Sequence, residues 1–410
     1  MSLEYESKFQ KITAKGNIIM PSHSSPGVFV EETSLHSHSI EGVSTYVVAF
    51  VGSTNKGVTA EPILINKFED YTAEFGDIAS EADSMGLAVQ AYYLNGGETA
   101  YICSLSAEIS NASVYTDFYD DTLHKYHDIS IIVLPDEQMS ASGAGNAAIR
   151  ATLAYCKKME NCILIIDPPQ GYELDDANAV TALSLPTSSY SVFYYPWVKV
   201  ANPFYHSDTS DVLPKKEKTL LVAPSAIAAG MWVKTDKARG VWKSPAGVQT
   251  QLTDVEGLEF NVDNLQQEQL GPLGVNCIRE LPNHGLIFWG ARTLATNANI
   301  EMRYIPVRRM AIYIKESIDK GTQWVALEAN NALLWATLRE NISIFMNGLA
   351  RSGAFMGMTD DQAYFVRCDL NDTMTVADID NQTVIVRIGF APLKPAEFVI
   401  LRIQQKTGAE

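Results

Sequence analysis

The spacing of apolar and polar residues changes several times along this 410-residue chain, and each change marks an element. From Thr45 to Gly52 the chain is almost continuously apolar, as expected of a strand covered on both faces. Pro62 to Phe68 holds a second short strand. Glu69 to Phe75 and Met85 to Leu94 carry helical spacing, and Asn95-Gly96-Gly97 offers a left-handed stop to the second helix. Ala100 to Leu105 returns to strand. The alternation recurs as strand from Ile129 to Leu134, helix from Asn146 to Met159 and strand from Cys162 to Asp167. This order predicts an α/β domain whose sheet is at least partly parallel.

Periodicity then fades. Leu185 to Gln251 is rich in Pro, Ser, Tyr and Trp, and Thr235-Asp236-Lys237-Ala238-Arg239-Gly240 is predicted to be a charged loop facing a partner or another domain. A second, α+β unit begins near Gly285. Its first helix, Ile305 to Ile318, sets Val307, Met310, Ile314 and Ile318 on one stripe. Trp324 to Leu327 is predicted to be a strand. Leu334, Leu338, Ile342, Phe345 and Leu349 form a longer helical stripe, with Asn330 or Asn331 as its N-cap. Tyr364 to Cys368 and Thr383 to Phe390 are expected strands, and Asp378-Ile379-Asp380-Asn381 a turn rather than a calcium loop.

The two ends carry apolar segments with no evident home. Pro392 and Pro395 cannot donate ladder hydrogen bonds, so they detach Phe398-Val399-Ile400-Leu401-Arg402-Ile403 from the preceding strand. At the front, Ser25-Pro26-Gly27 precedes a short strand, Val28-Phe29-Val30-Glu31. An unpaired β-forming edge invites aggregation unless something pairs with it. A loose strand at each end therefore predicts strands lent to neighbours, and a polymer subunit.

Composition narrows the classes. Hydrophobic residues make up 46% and charged residues 19%, a globular balance, and the length favours two or more domains. No apolar run approaches the ~20 residues of a membrane span. The first residues lack the apolar core of a secretory signal, which predicts assembly in the cytoplasm and no membrane insertion. A net charge of -17 argues against a nucleic-acid partner. Cys103, Cys156, Cys162, Cys277 and Cys368 match neither a redox pair nor a zinc knuckle, and are expected to be reduced core residues.

Candidate chemistry is sparse. Gly143-Ala144-Gly145-Asn146-Ala147-Ala148 fits G-x-G-x-x-A between a strand and a helix, with Asp167 where a ribose-binding acid would stand. The fingerprint needs its first glycine directly after the strand, yet Pro135 to Ser142 intervene. A dinucleotide-dependent oxidoreductase is therefore the alternative, and a loop ahead of a helix the main reading. No P-loop or G-x-S-x-G elbow is present. His36 with His38, and His124 with His127 beside Asp117, Asp120 and Asp121, are possible metal pairs more simply read as solvated loop residues. No catalytic, cofactor or metal residue is assigned.

A longer series of motifs is more specific. Phe193-Tyr194-Tyr195-Pro196-Trp197 precedes Ala223-Pro224-Ser225-Ala226, then Lys234-Thr235-Asp236 and Arg239-Gly240-Val241-Trp242-Lys243-Ser244-Pro245-Ala246. Asn276-Cys277-Ile278-Arg279, Trp289-Gly290-Ala291-Arg292-Thr293-Leu294, Arg308-Arg309 and Ala391-Pro392-Leu393-Lys394-Pro395-Ala396-Glu397-Phe398 follow. With Pro26-Gly27-Val28-Phe29-Val30-Glu31-Glu32 in front, this order resembles contractile tail sheath proteins of phage tails, R-type pyocins and extracellular contractile injection systems. Residues 106–187 carry little of that pattern, and Lys234 stands where the family often has arginine, keeping charge but losing the bidentate fork.

The resemblance implies a multi-domain tail-sheath fold, α/β and α+β, with mixed sheets flanked by helices and exchanged terminal arms. The expected division is a leader and strand arm at 1–44, an α/β domain at 45–284 with a variable outward-facing portion near 106–187, an α+β domain at 285–391, and a linker and arm at 392–410. It implies exchanged strands at Val28, Phe29 and Val30 and at Phe398, Val399, Ile400, Leu401 and Ile403, with hinges at Pro392 and Pro395. It implies a helical homopolymer of hexameric rings around an inner tube, with baseplate, terminator or cap proteins and paralogous sheath subunits as further partners. It implies a polymer that contracts from a metastable extended state without nucleotide hydrolysis, in a particle released from the cell. Lys315 with Glu316 and Arg339 with Glu340 are candidate tube or neighbour contacts. A type VI secretion sheath component is a further alternative, disfavoured because that relative splits the pattern over two chains.

Overall fold

The computed structural model describes residues 39–59, 61–105, 112–140, 147–205, 217–295 and 297–396. The expected arm strands at 28–30 and 398–403, the glycines of the 143–148 loop, His36 and His38 lie outside them.

The first half of the chain builds one sheet. β1 (Val48–Gly52), β2 (Ile63–Ile65), α1 (Phe68–Phe75), α2 (Ser84–Leu94) and β3 (Ala100–Ser104) follow the expected order. α3 (Ala112–Asp121), β4 (Ile131–Gln138), α4 (Ala147–Met159), β5 (Ile163–Asp167), α5 (Ala177–Ala182) and β6 (Ser191–Tyr195) continue it. β7 (Val198–Ala201), β8 (Thr219–Val222), α6 (Pro224–Arg239) and β9 (Gly257–Leu258) fill the stretch that lacks sequence period. Then come α7 (Asn264–Leu270), β10 (Val275–Leu281) and β11 (Gly285–Trp289). Eight strands pair in the order β11-β10-β6-β5-β4-β1-β3-β2. The six from β10 to β3 run parallel, and β11 and β2 close the two edges antiparallel. β7 joins β8 and β9 in a small antiparallel sheet.

Side-chain alternation along fully buried strands explains the continuous apolar runs. Val48, Phe50, Ile131, Val133, Ile163 and Ile165 face a core shared with α2 and α6, while Ala49, Val51, Ile132, Leu134, Leu164 and Ile166 face one shared with α3 and α4. Helices therefore cover both faces, as a parallel sheet requires. The five cysteines are buried and free. Residues 106–187, expected as outward-facing and variable, supply β4 and β5, whose apolar stretches lie inside the sheet. Residues 285–289, assigned from sequence to the second unit, form the edge strand β11 of this same sheet.

α6 is the main element that sequence reading missed, and it corrects the loop expected at 235–240. Pro224 opens it, its first ten residues are all buried, and Asp236 near its end is buried too. A helix covered on all sides shows no amphipathic period, so its composition resembles irregular chain. A methyl at Gly230 would stand 2.5 Å from the carbonyl oxygen of Tyr92, so α6 and α2 meet almost backbone to backbone.

The C-terminal part has its own core. α8 (Ile305–Gly321), α9 (Ala332–Arg351), α10 (Asp360–Ala363), β12 (Tyr364–Arg367), α11 (Val376–Asp380) and β13 (Arg387–Phe390) surround Met310, Ile314, Leu338, Ile342, Phe345 and Met346. Asn331 caps α9, its Oδ1 accepting from the amides of Leu333 and Leu334 at 3.0 Å each. Asn330, the other candidate, instead accepts from Trp335 Nε1. The strand expected at Trp324 to Leu327 is corrected: Gln323–Val325 is a 3-10 turn, and Leu327 is fully exposed at positive φ. Four apolar residues without a pairing edge do not make a strand.

Candidate assembly surfaces

β12 and β13 pair antiparallel from Tyr364 opposite Phe390 to Arg367 opposite Arg387. They form a two-stranded sheet with no third strand among the described residues. Such a ribbon is marginal by itself and needs support on one face. Here α8 and α9 give it: Ile314, Ile318, Leu338 and Ile342 line a groove with Val384, Val386, Ile388 and Phe390. The sequence predicts strand from Thr383, yet ladder bonds start only at Arg387. β12 ends opposite that residue, so Val384, Ile385 and Val386 extend beyond it without a strand partner.

The expected hinge begins where the backbone is still held. Pro392 forms an isolated bridge with Phe355, and the amide of Met356 donates to the Ala391 carbonyl at 2.8 Å. Pro395 is half-buried and lies one residue before the end of the described chain. Of the charged pairs, Lys315 donates to Glu160 Oε2 at 2.8 Å, and that cation holds the Glu160 carboxyl below its usual range. Glu316 is half-buried, and burial pushes its carboxyl up. Arg339 donates to the Cys368 carbonyl and to Asp369, while Glu340 is exposed. Lys315 and Arg339 thus have intramolecular partners, which sequence could not show.

An α/β enzyme would hold its ligand near the carboxyl ends of its parallel strands, and here the carboxylates of β4 and β5 accept internal hydrogen bonds. Asp167, the acid of the dinucleotide alternative, is 2% exposed and accepts from Ser225 N at 2.8 Å and from Ser225 Oγ at 2.5 Å. Burial raises its pKa to about 7, against the opposing pull of those two donors. Its carboxylate therefore anchors the first turn of α6 and is buried. Asp136 likewise accepts from Ser53 N and Oγ at 2.6 and 3.0 Å, and Asp83 caps α2 through Gly86 N. His124 lies in a 3-10 turn, Leu123–Lys125, and no three metal-ligating side chains gather among the described residues.

A buried clamp ties these parts together. Arg309 on α8 donates to Asp236 Oδ1 at 2.8 Å and Oδ2 at 2.6 Å, and to the Thr45 carbonyl at 2.6 Å. Thr45 Oγ1 donates to Asp236 Oδ2, and the guanidinium lies 4.8 Å from the Trp232 ring centre. The clamp joins the entry of β1, α6 and α8. Its only sequence signals are Lys234-Thr235-Asp236 and Arg308-Arg309, too far apart to be paired by spacing.

A mixed sheet covered by helices is followed by a two-stranded sheet, β12–β13, backed by α8 and α9. Residues 107–294 match the phage tail sheath protein central domain and residues 297–406 the phage tail sheath C-terminal domain. The anti-feeding prophage helical sheath in its contracted state is similar at a TM-score of 0.75 and 30% identity, over 94% of this chain and 100% of that one. The contracted sheath complex of an extracellular contractile injection system, PVC, is similar at a TM-score of 0.75 and 28% identity, over 94% of this chain and 99% of that one. The tail sheath protein of Enterobacteria phage T4 is 25% identical over 189 residues, 45% of this chain and 27% of that protein, so the match spans about a quarter of that curated relative's length. The chain belongs to the phage tail sheath protein family. The central-domain match begins at 107, so it includes the stretch to 187 in which sequence motifs were hard to see.

Proposed function

We propose that this chain is the repeating subunit of a contractile sheath, a structural protein that polymerises helically, in hexameric rings, around an inner tube. The observation that carries the reading is the β12–β13 sheet: no third strand among the described residues, an apolar face on α8 and α9, and a stretch from 384 to 386 that outruns its partner. Strands 28–30 and 398–403 of neighbouring copies would extend it. Main-chain hydrogen bonds on tethered strands survive the sliding and rotation of subunits, which would shear a rigid side-chain interface.

The force comes from assembly. An extended lattice relaxes to a contracted one, and a difference on the order of a few kcal/mol per subunit, summed over many subunits, drives the tube forward without nucleotide hydrolysis. Baseplate, terminator or cap proteins and paralogous sheath subunits complete the particle, which is assembled in the cytoplasm and released. Among the described residues no helix is long and apolar enough to cross a membrane. The charged faces at Lys315-Glu316 and Arg339-Glu340 are proposed to meet the tube or a neighbour.

Truncation after Glu397 tests the strand exchange. Negative-stain microscopy should show tubes from the whole chain and only dispersed, folded subunits from the truncated one. Tubes that persist after truncation overturn strand exchange. In the same assay, sheath-on-tube assembly unchanged by charge reversal at Lys315 and Arg339 removes those residues from the tube contact.

A further inference from the structure

The adjacent arginines of α8 have different fates. Arg309 is consumed by the buried pair with Asp236, whereas Arg308 has no carboxylate partner among the described residues. Its Nη2 donates to Ser189 Oγ at 2.6 Å, its Nη1 reaches Tyr190 Oη at 3.4 Å, and its guanidinium lies 4.4 Å from the Tyr190 ring centre. Its Nε is buried without an acceptor. Burial lowers its pKa, as expected of a cation whose charge is poorly compensated.

Arg308 lines a cleft of about 670 Å3 between α4, residues 187–190 and α8. Lys157 stands exposed on the rim, and the Lys315–Glu160 pair closes the other side with no net charge. The cleft therefore carries two uncompensated positive charges on a chain whose net charge is -17. Two such chains repel wherever acidic surfaces meet. A positive cleft is a place where an acidic surface can approach and gain, and a guanidinium fork fits a carboxylate better than any other side-chain cation.

We propose that this cleft is a carboxylate-binding site, filled in the assembly by an acidic surface segment of a second copy of the chain. The choice of a second copy rests on the polymer reading above; the carboxylate chemistry does not. Ser189 and Tyr190 hold the guanidinium plane in place, and Lys157 adds long-range attraction from the rim.

The experiment has two arms on the full-length chain. First, unassembled subunits are titrated with citrate by calorimetry at low salt. One saturable site is expected, weakened at least tenfold by Arg308→Gln, less by Arg308→Lys, and a few-fold by Lys157→Gln. Equal citrate binding by wild type and by both glutamine variants, or no binding to wild type, overturns the site. Lys157→Gln keeps the test decisive if Arg308→Gln fails to fold. Second, tubes are exposed to rising sodium chloride, and the Arg308→Gln lattice is expected to dissociate at lower salt. Citrate binding that depends on Arg308, with tubes of unchanged salt resistance, overturns the second copy as occupant. Arg308-dependent citrate binding by a chain that forms no tubes overturns the polymer reading and that occupant, and leaves the carboxylate site standing.

Discussion

Replacing Asp236 by alanine strands a guanidinium in the protein interior. Both partners of the clamp are nearly sealed, with side-chain exposures of 4% for Arg309 and 3% for Asp236. The substitution removes two charge-assisted hydrogen bonds of 2.6 and 2.8 Å and leaves Arg309 with the Thr45 carbonyl and the Trp232 face. Breaking a buried pair from one side costs about 3–5 kcal/mol, because the surviving charge stays desolvated. Replacing both partners by apolar side chains of similar volume, Asp236→Leu with Arg309→Met, removes the charge as well, and such exchanges are neutral or stabilising by about 1–4 kcal/mol. The double variant should therefore be more stable than Asp236→Ala. Equilibrium urea unfolding followed by tryptophan fluorescence, on wild type, Asp236→Leu, Arg309→Met and the double variant, gives the coupling energy directly, with Asp236→Ala measured beside them. An Asp236→Ala cost below about 1 kcal/mol, or a double variant as unstable as the two single changes added together, would refute the reasoning.

Asp167 gives a pH prediction. Its folded pKa of about 7 lies above the ~3.9 of an unfolded aspartate, so its favourable contribution is complete below about pH 4 and is lost as pH rises through 7. Wild type should lose stability relative to Asp167→Asn across that window, by up to about 4 kcal/mol at 1.36 per pH unit. Urea midpoints of the two proteins at pH 4.5 and pH 8 check it, and a constant difference would count against the buried carboxylate. Gly230→Ala pits helix propensity, which favours alanine by about 1 kcal/mol, against the 2.5 Å approach to the Tyr92 carbonyl, worth about 1–3 kcal/mol of strain. The close approach should win and lower the melting temperature; a rise would mean that α2 and α6 can separate without loss.

What the sequence conveys best is set by neighbours a few residues away. The continuous apolar runs of β1, β4 and β5 announce strands covered on both faces, and the stripe from Leu334 to Leu349 with its Asn331 cap announces α9. The family motifs survive for the same reason, since each is a local string. The errors arise where a partner lies far along the chain. Asp236 reads as a loop charge because charge usually means exposure, but Arg309, 73 residues later, makes its burial possible. α6 shows no period because its first ten residues are all buried, against α2 and the sheet.

The second strand of the C-terminal ribbon shows the same division most clearly. Read as a string, the chain shows that Thr383 to Phe390 favours extended backbone, that prolines follow, and that its motifs resemble those of tail sheath proteins. Folding in three dimensions ends the ladder at Arg387, runs an apolar groove beside Val384 and Val386, and turns Arg308 to a cleft while sealing Arg309 inside. Propensity and period depend on residues close in sequence. Pairing, burial and charge compensation depend on what the fold brings within a few ångströms, and no local pattern contains that distance.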